Sequence, residues 1–423
     1  MKRLKWKLNS KYKTSLGLAG IVLLLGLTFS YAMFQGGFVS WFLFYSVFPF
    51  TVYTVTMVFY PLHRIQMTRE LSKDLLMAGE ELTVTIRLKR KTPFPLFYLV
   101  IHDEIPAPLY KEALHGGEED QIHSRVLFFP LFKKNLVYTY RIKPVPRGVY
   151  ELNSIALKTG DVFGFVQKEI KINLSDKVFI YPRYQEIERW EMDKHLQSGI
   201  QRAGRKSLTD YTSTVSVRDY APGDKLSWLH WKASARSSKL LTKVFEHQRN
   251  DDYVIVLDQS AESYGNHDWL FEKAVSFAAS ITHYSVQKGA SLGLYSSRNK
   301  GQLLMNSGTD HEWRIFHELA SVQPDIKKPF YEWLKQEFID GRLEGRTVVI
   351  ISPLLDDVMI KTLEMVTARQ ANAVYFYMSA NDRLHPQELT SIHRLNNSLI
   401  PAVSIYGPRF SDALKAGASR ASI

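Results

Sequence analysis

Asp258-Gln259-Ser260-Ala261-Glu262 follows a short apolar run, Tyr253-Val-Ile-Val-Leu257, and is where this sequence gathers side chains able to do chemistry. A run of that length reads as a buried strand, so the acid and the hydroxyl stand at its carboxyl end, where open parallel sheets keep their sites. Two carboxylates and a hydroxyl are hard oxygen donors of the kind that take Mg²⁺. A second acidic pair, Asp356 and Asp357, follows another apolar run ending at Ser352. Asp258, Glu262, Asp356 and Asp357 gathered on one edge would hold a metal that activates water, the chemistry of a metal-dependent hydrolase. The plainer reading has Asp258 and Ser260 capping the next helix or hydrogen-bonding the loop. His230 lies close to Trp228 and Trp231, but no Gly-x-Ser-x-Gly elbow, His-Glu-x-x-His pair or Walker loop accompanies it. A packed, hydrogen-bonded histidine is the better reading. The chain has no cysteine, which excludes thiolate nucleophiles, thiolate metal sites and disulfides.

The strand leading to Asp258 is fed by a basic, aromatic segment. Ala221-Pro222-Gly223-Asp224 has turn chemistry, with proline fixing one φ and glycine supplying a conformation that other residues resist. Arg218, Tyr220, Trp228, Trp231 and Arg236 crowd around that turn. The composition predicts a folded joint rather than a solvated linker. Arg218 and Asp224 would fix it, so that losing either costs more stability than losing Asp258.

Arg218-x-Tyr220-x-x-Gly223-Asp224, Trp231-x-x-Ser234-Ala235-Arg236 and Lys243-x-Phe245-Glu246 resemble the bacterial "domain of unknown function 58" family. Upstream, Pro146-Arg147-Gly148-x-Tyr150 and Asp161-x-Phe163-Gly164 also look like that family. Its members are membrane-anchored proteins with a von Willebrand A-like domain, often encoded beside MoxR-type AAA+ ATPases and transglutaminase-like membrane proteins. The resemblance implies a MoxR-type ATPase as partner. Asp258-x-Ser260-x-Glu262 is then similar to the Asp-x-Ser-x-Ser metal-adhesion motif, with Glu262 in place of the second serine. Ser352-Pro353-Leu-Leu-Asp356 stands where that pattern has Thr-Asp-Gly, and Thr309 is the candidate for the loop threonine. These departures imply a degenerate metal site and a partner surface made by the strand ends and the Arg218–Arg236 joint.

The formal charge is 54 − 42 = +12, which by itself suggests nucleic acid. Its distribution argues otherwise. Residues 1–14 carry six cations and no acid, residues 199–249 carry 10 − 4 = +6, and the remainder is balanced. Half of the excess therefore flanks a membrane segment, and the basic connector suits anionic lipid or an acidic protein better than DNA. Ser15 to Tyr60 holds no charged residue and divides into Ser15–Phe34 and Phe38–Tyr60 around Gln35-Gly36-Gly37. Each half reaches the roughly 20 residues that cross a bilayer as a helix. Cations before the first span and His63, Arg64 and Arg69 after the second place both ends in the cytoplasm. The alternative is a cleaved signal peptide at Ser30-x-Ala32, which would make the chain an extracellular adhesion module.

From Pro61 to Tyr181, alternating runs such as Leu82–Leu88 and Leu136–Ile142 are punctuated by Pro and Gly, predicting many short strands. Val166–Ile172 and Val178–Tyr181 read as two of them, and Asp161-Val-Phe-Gly164 as a loop. Ile187–Leu196 reads as a short helix, Ser198–Ser207 as a loop and Leu240–Phe245 as an edge strand entering the last domain. Beyond Asp251, apolar strands alternate with helices, implying a mostly parallel sheet covered on both faces. The expected organisation is a basic tail (1–14), a two-helix transmembrane hairpin (15–60), an immunoglobulin-like β-sandwich (61–185), a basic connector (186–249) and an α/β, Rossmann-type von Willebrand A-like domain (250–423). The expected role is a non-enzymatic adaptor, multi-pass in the inner membrane, with cytoplasmic domains.

Overall fold

The computed structural model describes residues 2–73, 75–109, 124–188, 214–221, 228–237, 239–245, 252–295, 303–340, 347–368 and 372–414. The chain forms two compact units, Met1–Tyr181 and Pro182–Ile423.

The first unit opens with α1 (Lys2–Gln35) and α2 (Phe38–Phe59), joined at Gly36-Gly37. No Pro or Gly precedes Gly17, so the basic tail and the first apolar stretch form one continuous helix. Leu16–Gln35 and Phe38–Phe59 have mean hydropathies of 2.0 and 1.6 and are long and apolar enough to cross a membrane. Ser40, Ser46 and Thr51 donate their hydroxyls to the carbonyls of Gly37, Phe42 and Val47, which removes the cost of carrying those donors into hydrocarbon.

Two sheets follow. One is antiparallel, with order β1 (Gln66–Leu71), β3 (Leu82–Lys89), β6 (Asn135–Ile142). The other has order β2 (Leu76–Met77), β8 (Gln167–Tyr181), β7 (Gly148–Gly160), β4 (Leu99–Asp103), β5 (Arg125–Phe128). Both contribute to one apolar core, Val84 and Ile86 from the first and Ile101, Ile155, Leu157 and Ile180 from the second. The period-2 pattern of β3 puts Leu82, Val84, Ile86 and Leu88 inside. Val166–Ile172 and Val178–Tyr181, expected as two strands, are one. The ladder with β7 continues through the polar residues between them, from Gly160↔Gln167 to Gly148↔Ile180.

Inside this core lies a charged network. The Arg69 guanidinium meets the Asp103 carboxylate twice, at 2.5 and 3.1 Å, and both side chains are fully buried. It also donates to the Leu152 carbonyl and to Asp176, each at 2.8 Å, while the Tyr140 hydroxyl donates to Asp103 at 2.7 Å.

The second unit begins with a small two-stranded sheet, β9 (Thr214–Asp219) antiparallel to β10 (Leu241–Phe245), with α3 (Trp231–Ser237) between them in sequence. The expected edge strand at Leu240–Phe245 thus pairs with β9 in a separate two-stranded sheet and is not part of the large one. That large sheet has order β13-β12-β11-β14-β15-β16, from β11 (Asp252–Leu257), β12 (Ser291–Tyr295), β13 (Leu303–Asn306), β14 (Thr347–Ser352), β15 (Asn372–Met378) and β16 (Ala402–Ile405). All neighbours are parallel except β13, which runs antiparallel to β12. Its helices are α4 (Ala261–Tyr264), α5 (Asp268–Gln287), α6 (Thr309–Ser321), α7 (Phe330–Ile339), α8 (Asp357–Ala368) and α9 (Pro386–Asn397). Val254, Val256, Val348 and Ile350 pack against Leu334, Leu363 and Leu395 of α7, α8 and α9. Phe376 of β15 meets Phe277 of α5 edge-on at 4.8 Å. Most of the expected helix at 187–196 and the whole of the expected loop at 198–207 lie outside the described residues.

The Arg69 network yields a test. Asp103→Ala removes the fully buried one of the two carboxylates that face the Arg69 guanidinium and is expected to lower the unfolding free energy of the full chain in detergent by about 3–5 kcal/mol. Arg87→Ala breaks an exposed pair with Glu70, both side chains 54% accessible, and should cost less than about 1 kcal/mol. Unfolding midpoints of the two variants measure the contrast.

Candidate functional site

β11 and β14 are adjacent in the large sheet, and the chain crosses over to opposite sides from them, so the crevice at their carboxyl ends is where such sheets present ligands. Asp258 follows β11 and continues its ladder, its amide donating to the Ile351 carbonyl at 2.9 Å. Ser352 ends β14. Its hydroxyl donates to Asp258 Oδ2 at 2.7 Å, and the Ser260 amide donates to Oδ1 at 2.8 Å. The Tyr264 hydroxyl of α4 closes the group by donating to the Asp258 carbonyl at 2.9 Å. Asp258, Ser260, Ser352 and Tyr264 are all buried. Burial pushes the Asp258 carboxyl up to about 7, opposed by the Ser260 amide and by serine hydroxyls that favour its charged form.

The chain itself covers this edge. Ile326, between α6 and α7, forms a parallel bridge with Ser260, accepting from the Ala261 amide at 3.0 Å and donating to the Gln259 carbonyl at 3.1 Å. Of the expected metal ligands, Asp258 and Ser260 come together, while Glu262 lies exposed on α4. Asp356 accepts from the Met359 amide at 3.0 Å and so caps α8, and Asp357 pairs with Arg394 at 3.2 Å. The four carboxylates expected on one edge are therefore divided among separate roles. Among the described residues, no three His, Asp or Glu side chains form a group able to hold a metal ion. Thr309 is exposed at the start of α6. The Ser260 hydroxyl is buried without a hydrogen-bond partner, the one local feature that suits an ion. Ser352, which the sequence offered only as a departure from a motif, completes Asp258; register across two strands 94 residues apart brings them together.

The basic joint is packed only in part. Leu229, Ser234 and Thr242 are buried, and the Ser234 hydroxyl accepts from the Leu241 amide at 2.9 Å, tying α3 to β10. His230 is structural, its Nδ1 accepting from the Ala233 amide at 3.1 Å at the start of α3. Of the large side chains expected to crowd the turn, Tyr220 and Trp228 are half-buried, while Trp231 is 66% exposed and Arg218 and Arg236 are exposed. Among the described residues, a short hairpin with one helix has too few layers to enclose them. Gly223 and Asp224 lie outside the described residues. Arg218 is exposed and Asp258 buried, and burial favours Asp258 as the costlier of the two to remove.

The raised Asp258 carboxyl fixes the sign of a pH effect. An unfolded aspartate titrates near about 3.9, so from there up to about 7 the folded chain keeps a proton that the unfolded chain has lost. The contribution is fully present below the unfolded value and is lost as pH rises through the folded one. In chelator-treated buffer, Asp258→Asn is expected to be more stable, relative to the parent chain, at about pH 8 than at about pH 5. Denaturant midpoints of both chains at the two pH values check this.

Comparison with known proteins agrees with the sequence signature. The model of the family described as "Protein of unknown function DUF58" matches residues 216–384, which hold the hairpin, Asp258 and Ser352. The uncharacterized protein YeaD of Bacillus subtilis (strain 168) is 35% identical over 348 residues, 82% of this chain and 84% of that protein. Two solved structures give far weaker matches. The sporulation control protein Spo0M of Bacillus subtilis is 14% identical with a TM-score of 0.15 over 33% of this chain and 56% of its own. Cwp6 of Clostridium difficile is 11% identical with a TM-score of 0.19 over 84% of this chain and 51% of its own. The match to YeaD over most of both chains and the family model within the second unit together show that the chain belongs to the DUF58 family.

Proposed function

We propose that this protein is a membrane-anchored adaptor that binds a protein partner rather than an enzyme. α1 and α2 would form a hairpin in the inner membrane, with the basic tail and both folded units in the cytoplasm. The first unit is read as a β-sandwich and the second as a von Willebrand A-like domain, a reading supported by the strand order with a single antiparallel edge. The observation that carries the adaptor reading is the exposure of large side chains on the small hairpin and α3. Trp231, Val217 and Leu240 are 66%, 41% and 51% exposed on the hairpin and its helix, and Arg218, Lys232, Arg236 and Lys239 are exposed as well. Exposed aromatic and guanidinium side chains are the groups that carry binding energy at protein interfaces. The family resemblance supports a MoxR-type AAA+ ATPase as that partner.

Asp258 is read as structural, since both carboxylate oxygens are taken by the chain. The unpartnered Ser260 hydroxyl is what would favour Mg²⁺ instead. Two measurements test these readings. Affinity purification of the full chain from detergent is expected to recover the ATPase, and Trp231→Ala to weaken capture by about 2 kcal/mol, roughly thirtyfold. Failure to recover any ATPase, with or without nucleotide, counts against the adaptor. Mg²⁺ is expected to leave the melting temperature nearly unchanged. A clear rise that vanishes in Asp258→Ala would establish a metal site and reopen the hydrolase.

A further inference from the structure

The tip between β7 and β8, Asp161-Val-Phe-Gly-Phe-Val166, is built to display apolar side chains. The buried Asp161 carboxylate accepts from the Phe163 amide at 3.2 Å and from the Val166 amide at 2.6 Å. The Asp161 amide donates to the Val166 carbonyl at 3.1 Å, and the Gly164 amide to the Asp161 carbonyl at 3.3 Å. Gly164 takes φ +79°, a left-handed turn that other residues resist. The tip thus satisfies four of its own backbone N–H groups while leaving Val162, Phe163 and Phe165 51%, 58% and 37% exposed. Non-helical backbone is tolerated at membrane depth only where protein covers it, so the tip needs both these bonds and packing against neighbouring helices.

The tip lies against both apolar helices. The Phe163 ring meets Phe50 of α2 edge-on at 5.2 Å. The Phe165 carbonyl presses on Gly17 of α1, where any Cβ would clash. On the next strand, the Lys168 ammonium donates to the carbonyls of Val58 and, at 2.8 Å, Tyr60, so it marks the polar end of α2. Phe50 precedes Val58 by eight residues, about 12 Å along the helix axis. Phe163 therefore reaches well beyond the level of that ammonium, alongside the span. Tyr53, between the two levels, donates its hydroxyl to Pro95 at 3.0 Å and stacks on Phe94, so a second loop of the same body holds the arrangement.

We infer that the Asp161–Val166 tip is a preformed finger that inserts into the lipid bilayer beside the helical hairpin, with Val162, Phe163 and Phe165 in contact with acyl chains. The inference rests on the reading that α1 and α2 span the membrane. In it, Asp161 and Gly164 hold the finger's shape while its apolar residues meet lipid, locking the folded body to the bilayer at a third point.

The absence of cysteine allows a clean test in the full chain. Val162→Cys, Leu23→Cys in α1 and Lys177→Cys near the opposite end of the β7–β8 ladder are each spin-labelled and reconstituted into phosphatidylcholine vesicles with a water-soluble nickel chelate on both sides. The ratio of relaxation by molecular oxygen to relaxation by the chelate is then measured. Val162→Cys is expected to give a ratio several-fold above that of Lys177→Cys and approaching that of Leu23→Cys. A ratio at Val162→Cys equal to that at Lys177→Cys, with Leu23→Cys still rich in oxygen, overturns the finger while leaving the span intact. A low ratio at Leu23→Cys overturns the span, and the finger with it.

Discussion

A guanidinium enclosed in an apolar body is the constraint on which the first unit depends. Arg69 lies on one sheet and Asp103 on the other, so their pairing at 2.5 Å binds the two layers, with β6 joining through Tyr140, β7 through Leu152 and β8 through Asp176. Removing such charges from water costs several kcal/mol per ion, and only a complete set of partners offsets it. The same requirement fixes register. On β1, exposed and buried positions alternate, with Arg69 at a buried one. A slip of one residue would turn Arg69 to solvent and leave Asp103 inside without its counter-charge. Apolar packing alone would tolerate more, since several aliphatic residues fit either layer.

The second unit meets the same difficulty at Asp258 with different means. The partners described there are an amide and hydroxyls, so burial is answered partly by hydrogen bonds and partly by a proton, and the carboxyl titrates near 7. Ile326 roofs the same edge. A strand-end acid arranged in this way ties β11 to β14 at the point where the chain reverses its direction of winding.

Much of the architecture was legible. The uncharged stretch gave two helices, the alternation at Leu82–Leu88 gave β3, and the apolar runs beyond Asp251 gave five parallel strands. What was illegible has common causes. β13 is four residues long and carries too little pattern to be seen. In β8, Asn173, Ser175 and Asp176 interrupt the apolar sequence, yet the ladder with β7 resumes across a register shift at Leu174 and Ser175 and keeps the strand whole. Arg69 reads as a surface cation until its acid, 34 residues away, is brought against it. At the site, Asp258 and Ser260 were visible, whereas Ser352 and the Ile326 cover depend on topology. Trp231 shows the converse limit. Residue type marks a side chain able to pack, but the number of layers around it decides whether it does.

Asp103, Asp161 and Asp258 sharpen that contrast, because each stands at or just after the end of a strand and each is buried. Sequence position would give all three the same standing as candidate catalytic acids. Their partners separate them. Asp103 meets a guanidinium and joins two sheets. Asp161 meets two amides of its own loop and shapes a tip that displays three apolar side chains. Asp258 meets an amide and a hydroxyl from a neighbouring strand and titrates near neutrality. A buried acid takes its role from what the topology places within hydrogen-bonding reach. In this chain, that logic sets Asp103 to join two sheets, Asp258 to join two strands, and Asp161 to shape the loop that displays Val162, Phe163 and Phe165.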